Sequence, residues 1–205
     1  MTAMGDVSGI ILAAGRSRRL GWPKHLLPWD GRTVLEHIVE RIRGLPLRQV
    51  VVVLGPSSAP LAPRLEALGA ILVKVPEGAQ ACAVSIQTGL QAAREADAVM
   101  FFLGDQPTLP LSAAQVMLDG WQKRGRPLQV IRYREGRGHP VLVARALFEA
   151  LEARIGEKVL WELMAEHPEW VAEVPLDLPL PRDIDTWEDY WTLRAEAGLP
   201  LVDGG

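Results

Sequence analysis

From Val7 to Lys24 the chain reads VSGIILAAGRSRRLGWPK, and no other stretch restricts the fold as much. The apolar run Val7 to Ala14 has the length of one buried strand, and it ends at Gly15, followed by Arg16, Ser17, Arg18, Arg19 and Gly21. A buried strand therefore empties into a short cationic loop. Glycine permits positive φ and close backbone approach, so such a loop can turn its N–H groups towards a multiply charged anion. Arginine adds two-pronged contacts to phosphate oxygens, and Lys24 adds a point charge. Phosphate binding is the first expectation. It is not a Walker A loop, because His25 rather than Ser or Thr follows Lys24, and no G-x-G-x-x-G dinucleotide fingerprint occurs in the chain.

Beyond this loop the pattern alternates. Val34, Leu35, Ile38, Val39 and Ile42 form an apolar helical stripe that Thr33 is placed to cap, with Glu36, Glu40 and Arg41 on the outside. Gln49 to Gly55 is a continuous β-branched run, typical of a strand covered on both faces. A short helix near Pro60 to Leu68, a strand near Ala70 to Val75, a loop over Pro76 to Gln80 and a helix near Ala81 to Ala93 follow. Asp97 to Leu103 is the most apolar strand; a helix capped by Ser112 and reaching Arg124, then a strand near Leu128 to Tyr133, come next. A glycine-broken turn from Arg134 runs into an apolar strand, helices near Ala144 to Leu151 and Lys158 to Glu166 follow, and Trp170 to Val174 reads as an edge strand. Leu176 to Pro181 is an extended, proline-rich connection, and Gly198 to Gly205 reads as frayed. This alternation predicts one α/β domain over residues 1–205, a Rossmann-like, doubly wound, mostly parallel sheet.

Four polar elements carry chemistry. Gly104-Asp105-Gln106-Pro107 follows the most apolar strand directly. A carboxylate at the C-terminal end of a buried parallel strand lies where open α/β sheets bind ligands. Magnesium takes oxygen ligands, commonly one or two carboxylates plus substrate phosphates, so Asp105 is a candidate ligand; a turn aspartate bonding its own backbone is the other reading. Ser85, near a helix start, reads as a phosphate or nucleotide contact or as an ordinary cap. His139 reads as a hydrogen-bond donor or proton carrier near neutral pH, or as a loop histidine held by backbone bonds. In Arg182 to Tyr190, RDIDTWEDY, Thr186 and Asp189 fit a helix start, but capping does not account for Asp183 and Asp185.

The segment L-A-A-G-x-S-x-R-L-G-x-x-K, Leu12 to Lys24, resembles the signature L-A-A-G-x-S-x-R-M-G-x-x-K of the MobA-like nucleotidyltransferases, especially the molybdenum cofactor cytidylyltransferases. Leu20 replaces the usual Met. G-D-Q-P, the segment Gly136-Arg137-Gly138-His139-Pro140, which resembles the family's G-x-x-G-H-P, and D-I-D-T-x-E-D-Y with Trp187 in place of Pro stand in the family's order. The segment from Val75 to Ser85 keeps only Pro76 and Ser85 of N-P-x-W-x-x-G-M-x-x-S, and Gly156-Glu157-Lys158-Val159 stands where many relatives carry Gly-Asp-x-Gly. The resemblance implies the nucleotide-diphospho-sugar transferase fold and Mg²⁺-dependent transfer of CMP from CTP to the terminal phosphate of molybdopterin, with pyrophosphate leaving. It implies Arg19, Lys24 and Asp105 as catalytic residues, with Leu12, Ala13, Ala14, Gly15, Arg16 and Ser17 around the triphosphate. Ser85 would lie beside the nucleotide, and Gly138, His139 and Pro140 beside the acceptor, with His139 as a positioning group. Asp105 and Asp185 would hold the metal, with Asp183 the second choice for the latter. Ala13-Ala14-Gly15 has the cytidylyltransferase form, whereas guanylyltransferase relatives usually show A-G-G or G-G, so CTP rather than GTP is expected.

Composition limits the remaining options. A net charge of -3 and a pI near 5.8 argue against a general nucleic-acid binder. The single cysteine, Cys82, allows no internal disulfide and fits a reducing cytoplasm. Neither a leader pattern nor an apolar run of membrane-spanning length is seen, so a soluble, cytoplasmic protein is expected. Small-molecule substrates are the expected partners, with transient contact to a client molybdoenzyme. Two other functions fit the same loop: transfer to another phosphorylated acceptor such as a sugar or polyol phosphate, and non-enzymatic binding and insertion of molybdenum cofactor.

Overall fold

The computed structural model describes residues 6–76, 78 and 82–200. The first five residues, most of the loop expected over Pro76 to Gln80, Ala81 and the tail beyond Pro200 lie outside the described residues. Seven strands form one sheet: β1 (Val7–Ala13), β4 (Val50–Leu54), β5 (Ile71–Lys74), β6 (Ala98–Leu103), β7 (Leu128–Arg132), β8 (Arg137–Ala144) and β9 (Val171–Pro175). A two-residue ladder, β2 (Pro28–Trp29) with β3 (Arg32–Thr33), stands apart from it. The sheet order is β5-β4-β1-β6-β8-β7-β9, parallel throughout except for β8, which runs against both neighbours. The expected doubly wound, mostly parallel α/β sheet is what the chain forms.

Alternation along the strands explains the two layers of helix. In β4, Val50, Val52 and Leu54 join one apolar cluster, with α1 (Val34–Arg43), α2 (Ala62–Ala67), α4 (Leu111–Leu118) and α8 (Trp187–Glu196). Val51 and Val53 join the other, with α3 (Cys82–Ala92), α6 (Phe148–Glu152) and α7 (Val159–Glu166). Every residue of β4 is therefore buried, and each fully buried aliphatic side chain contributes about 1.5–3 kcal/mol. The order in which strands are added reverses at β1, since β4 and β5 build outwards on one side and β6 begins the other. The crevice at the C-terminal ends of β1 and β6 is thus the switch point where such sheets bind ligands.

Two helix starts differ from the sequence expectation. Thr33 caps α1 as expected, yet Glu36 is buried rather than outside. Its carboxylate closes a capping box by accepting from the Thr33 N–H and hydroxyl, and it pairs with Arg64 at 2.8 Å. Ser112 does not cap α4; the helix starts one residue earlier, after an extended Pro110, which leaves Ser112 within the first turn. The helix expected to reach Arg124 also breaks at Gly120 into α4 and α5 (Trp121–Arg124). The Arg124 guanidinium folds back there and donates to the Val116 and Met117 carbonyls.

Helix α3 approaches the sheet closely at Gly89, where an added Cβ would sit 2.6 Å from Ile10 Cγ2 and 3.1 Å from Val53 Cγ2. Gly89→Ala should therefore lower stability by about 1–2 kcal/mol in urea unfolding, even though alanine is the better helix former. An unchanged or raised midpoint would contradict this packing.

Candidate active site

The loop after β1 is held from behind. Ser58, fully buried, donates its hydroxyl to the Ala13 carbonyl at 2.7 Å, and Ser57 donates to the Gly15 carbonyl at 2.9 Å. The Gly104 N–H takes the Leu12 carbonyl at 2.9 Å. In a planar trans peptide the following N–H points opposite to its carbonyl. The amides of Ala14 and Arg16 are thereby turned away from these anchors, towards the solvent side. Gly55 permits the arrangement, since a Cβ there would come 2.5 Å from the Ala14 carbonyl oxygen. Further on, Ser17 adopts φ 49° and Gly21 φ 69°, while the Ser17 hydroxyl accepts from the Lys24 N–H at 3.1 Å. The loop so formed borders a cavity of about 360 Å³ lined by Ala14 through Arg19, Lys24, Asp185 and Glu157.

Three distant segments meet at the floor of this crevice. Lys24 Nζ donates to Asp105 Oδ2 at 2.5 Å and to Asp185 Oδ1 at 3.3 Å, while Arg19 donates to Asp185 Oδ2 at 2.6 Å. Burial opposes the charge on Lys24, but the two carboxylates outweigh it and hold its pKa above the usual lysine range. Asp183 faces another way and accepts from the Gln106 side chain at 2.7 Å. It keeps part of its surface in water. Even so, the protein packed around its carboxyl, and then the charge of Asp105, push its pKa up to about 6 against the pull of Gln106 and Lys24. A backbone bond from Ile184 N–H to the Asp105 carbonyl, 3.0 Å, ties the two acidic segments together.

The other expected residues are placed less directly. His139 lies in β8 and is buried, with its ring edge-on to Trp161 and its carbonyl accepting from the Tyr133 hydroxyl at 2.7 Å. Burial pushes its pKa down to about 4, although the nearby Asp105 charge acts in the opposite direction. Burial thus favours the neutral ring at neutral pH. Gly138 makes room for the proline-rich strap, since a Cβ would meet Leu180 Cδ1 at 2.4 Å. Pro140 continues β8 beside them. Ser85 sits in the first turn of α3 and is not among the residues lining the cavity.

Sequence reasoning missed four contributors. Gln106, buried beside Asp105, holds Asp183, and Ser57 and Ser58 brace the loop; Glu157 lines the cavity from the far side. The G-D-Q-P and Gly156-Glu157 motifs named two of these residues without revealing what they touch. Cys82, next to Glu157, has its thiol pushed up to about 11 by burial and by that carboxylate, so it is not a nucleophile at neutral pH.

Among the described residues, no three His, Cys, Asp or Glu side chains converge as a metal site. Two carboxylate oxygens do converge on one ammonium nitrogen. That donor set fits a hard divalent cation whose remaining ligands are phosphate oxygens and water.

A cationic loop after the first strand and paired carboxylates at the switch point of this sheet form a site suited to a polyphosphate and a divalent cation. The profile of the MobA-like NTP transferase domain matches residues 9–183, and the chain belongs to that family. Its likeness to nicotine blue oxidoreductase of Paenarthrobacter nicotinovorans is 27% identity over 93% of this chain and 100% of that protein. To the molybdenum cofactor guanylyltransferase of Xanthomonas euvesicatoria it is 44% over 25% of this chain and 28% of that one. The structure of an Rv0371c homologue from Mycobacterium sp. strain JC1 superposes with a TM-score of 0.85, 35% identity, and 94% and 96% of the two chains covered. Mycobacterium tuberculosis Rv0371c in complex with manganese gives 0.78, 31%, and 92% and 97%.

His25, pushed down to about 3 by burial and then by Lys24, is a second buried neutral imidazole beside His139. An unfolded chain protonates both below about 6.5, whereas the native protein resists until about 4 or lower. Their contribution is thus fully present above pH 6.5 and lost as the pH falls towards 4; Asp183 opposes it over part of the window. Urea midpoints should fall between pH 6.5 and 4, and a flat profile would contradict the buried, neutral placement.

Proposed function

We propose that residues 1–205 act as one cytoplasmic catalytic domain that transfers CMP from CTP to the terminal phosphate of molybdopterin. The reaction releases pyrophosphate and yields a cytosine dinucleotide form of the cofactor. The observation that carries this reading is the meeting of Lys24, Asp105 and Asp185 at the edge of the arginine-rich loop. An oxygen of the acceptor phosphate forms a bond to the α-phosphorus, and the bond from that phosphorus to the bridging oxygen breaks. Both reactants are polyanions, so alignment and charge neutralisation are the main requirements. Arg16, Arg18, Arg19 and the amides of Ala14 to Ser17 would take the triphosphate and the departing pyrophosphate. Lys24 would transfer its hydrogen bonds from carboxylate to phosphate oxygens as the nucleotide enters.

Asp105 and Asp185 would hold Mg²⁺, which when bound supplies polarisation of the α-phosphate; the manganese-bound mycobacterial relative supports a divalent cation in this family. Asp183, steered by Gln106, would keep the Asp185 segment in place. His139 would position the acceptor as a neutral group. The choice of molybdopterin rests on the molybdenum cofactor relatives, and that of CTP on Ala13-Ala14-Gly15.

The full-length likeness to an oxidoreductase supports one second reading, a redox enzyme that uses this crevice for another substrate. Pyrophosphate release separates the two. With CTP, GTP, ATP or UTP and Mg²⁺, release should occur from CTP and only when molybdenum-loaded molybdopterin is present. No release with any nucleotide, together with acceptor-dependent oxidation of a nicotinamide nucleotide, would favour the redox reading. Asp105→Asn should cut turnover by about 10²–10³-fold or more while leaving the melting temperature near that of the wild type. Near-full activity in that variant would overturn the assignment.

A further inference from the structure

Among the described residues that line the triphosphate cavity, Glu157 is the one that the proposed chemistry does not use. It lies in the loop between α6 and α7, far in sequence from the other lining residues. Two bonds fasten that loop to the start of α3: the Gly156 carbonyl accepts from Ala83 N–H at 3.0 Å, and Glu157 Oε2 accepts from Cys82 N–H at 3.1 Å. Both amides belong to the first turn of the helix, where no intrahelical acceptor exists. The helix dipole there favours a negative charge, and the bond to the Cys82 amide holds the carboxylate in place.

A fixed carboxylate cannot face phosphate oxygens, which only accept hydrogen bonds and carry like charge. It can face neutral donors. The cavity is small, about 360 Å³, and its remaining lining suits phosphates at Arg16 to Arg19 and Lys24. In a nucleoside triphosphate the neutral group directly attached to the phosphates is the sugar, whose hydroxyls are donors. We infer that Glu157 reads the ribose of the bound nucleotide, accepting hydrogen bonds from its 2′- and 3′-hydroxyls. The inference rests on the nucleoside triphosphate reading of the cavity. It makes Glu157 a specificity residue for ribonucleotides over deoxyribonucleotides.

The same residue also caps α3, so the test uses two variants. Glu157→Gln keeps an oxygen for the Cys82 amide, and Glu157→Ala removes it; melting temperatures identify any loss of folding. Equilibrium binding of CTP, 2′-deoxy-CTP and 3′-deoxy-CTP is then measured on the full chain by calorimetry, with inorganic triphosphate as a sugar-free probe. Wild-type protein should bind CTP at least about 10-fold more tightly than either deoxy analogue, because a site built for a hydroxyl rejects the analogue lacking it. In Glu157→Gln that ratio should fall to within about 2-fold, with triphosphate affinity unchanged. Preserved discrimination in a folded variant, or a changed base preference with the sugar ratio intact, would overturn the inference while leaving the nucleotide site standing. Failure of the wild-type protein to bind any nucleoside triphosphate would overturn the nucleotide reading and this inference with it.

Discussion

A single ammonium group, Lys24 Nζ, is shared by carboxylates that enter the site more than eighty residues away along the chain, and the architecture exists to make that meeting possible. Lys24 follows β1, Asp105 follows β6, and Asp185 ends the strap that crosses from β9 to α8. Three acidic groups, Asp105, Asp183 and Asp185, crowd one end of the sheet, and the pKa of Asp183 is raised first by burial and then by the charges of its two neighbours. Such a site is stable only while a cation sits in it. Lys24 meets that need in the protein alone, and an incoming polyphosphate with its metal ion would meet it during turnover.

Around this point the support is graded. Apolar packing on both faces of β4 and β1 makes the strand ends rigid. Small residues then bring backbones together, as Gly55 does against Ala14 and Gly104 against Ala13. Buried hydroxyls and an amide finish the arrangement: Ser58 behind the loop, and Gln106 between the two acidic segments. The strap from Leu176 to Pro181 has no ladder of its own. It is fixed by Arg134 N–H to the Leu178 carbonyl and by Leu180 N–H to the Glu135 carboxylate, with Leu180 lodged over Gly138. The glycine of the G-H-P element thus serves the placement of Asp185 by admitting the strap.

Much of this was legible in the chain. The β-branched run of β4, the apolar run ahead of Asp105 and the cationic loop are local patterns, and local patterns survive folding into a parallel sheet. Lys24 and Asp105 could be picked out because each sits at the end of such a pattern, whereas Arg19 and Asp185 were singled out by the family resemblance. What could not be read depends on contacts across the chain. Helical periodicity puts Glu36 outside, but its bonds to Thr33 and its pairing with Arg64 draw it in. His139 resembles a titrating histidine until its burial and its edge contact with Trp161 are known. Glu157 stands in a segment that the sequence marks only as a departure from the family pattern; its loop docks on the first turn of α3.

The proposed metal site lies between Asp105 and Asp185. Anomalous scattering from crystals grown with Mn²⁺ and a non-hydrolysable CTP analogue tests it most directly. The predicted result is a manganese peak bound by oxygens of both aspartates and of the α-phosphate, with the Lys24 ammonium moved onto phosphate. A bound nucleotide with the Lys24 ammonium still bridging the two carboxylates, and manganese absent or held elsewhere, would contradict it.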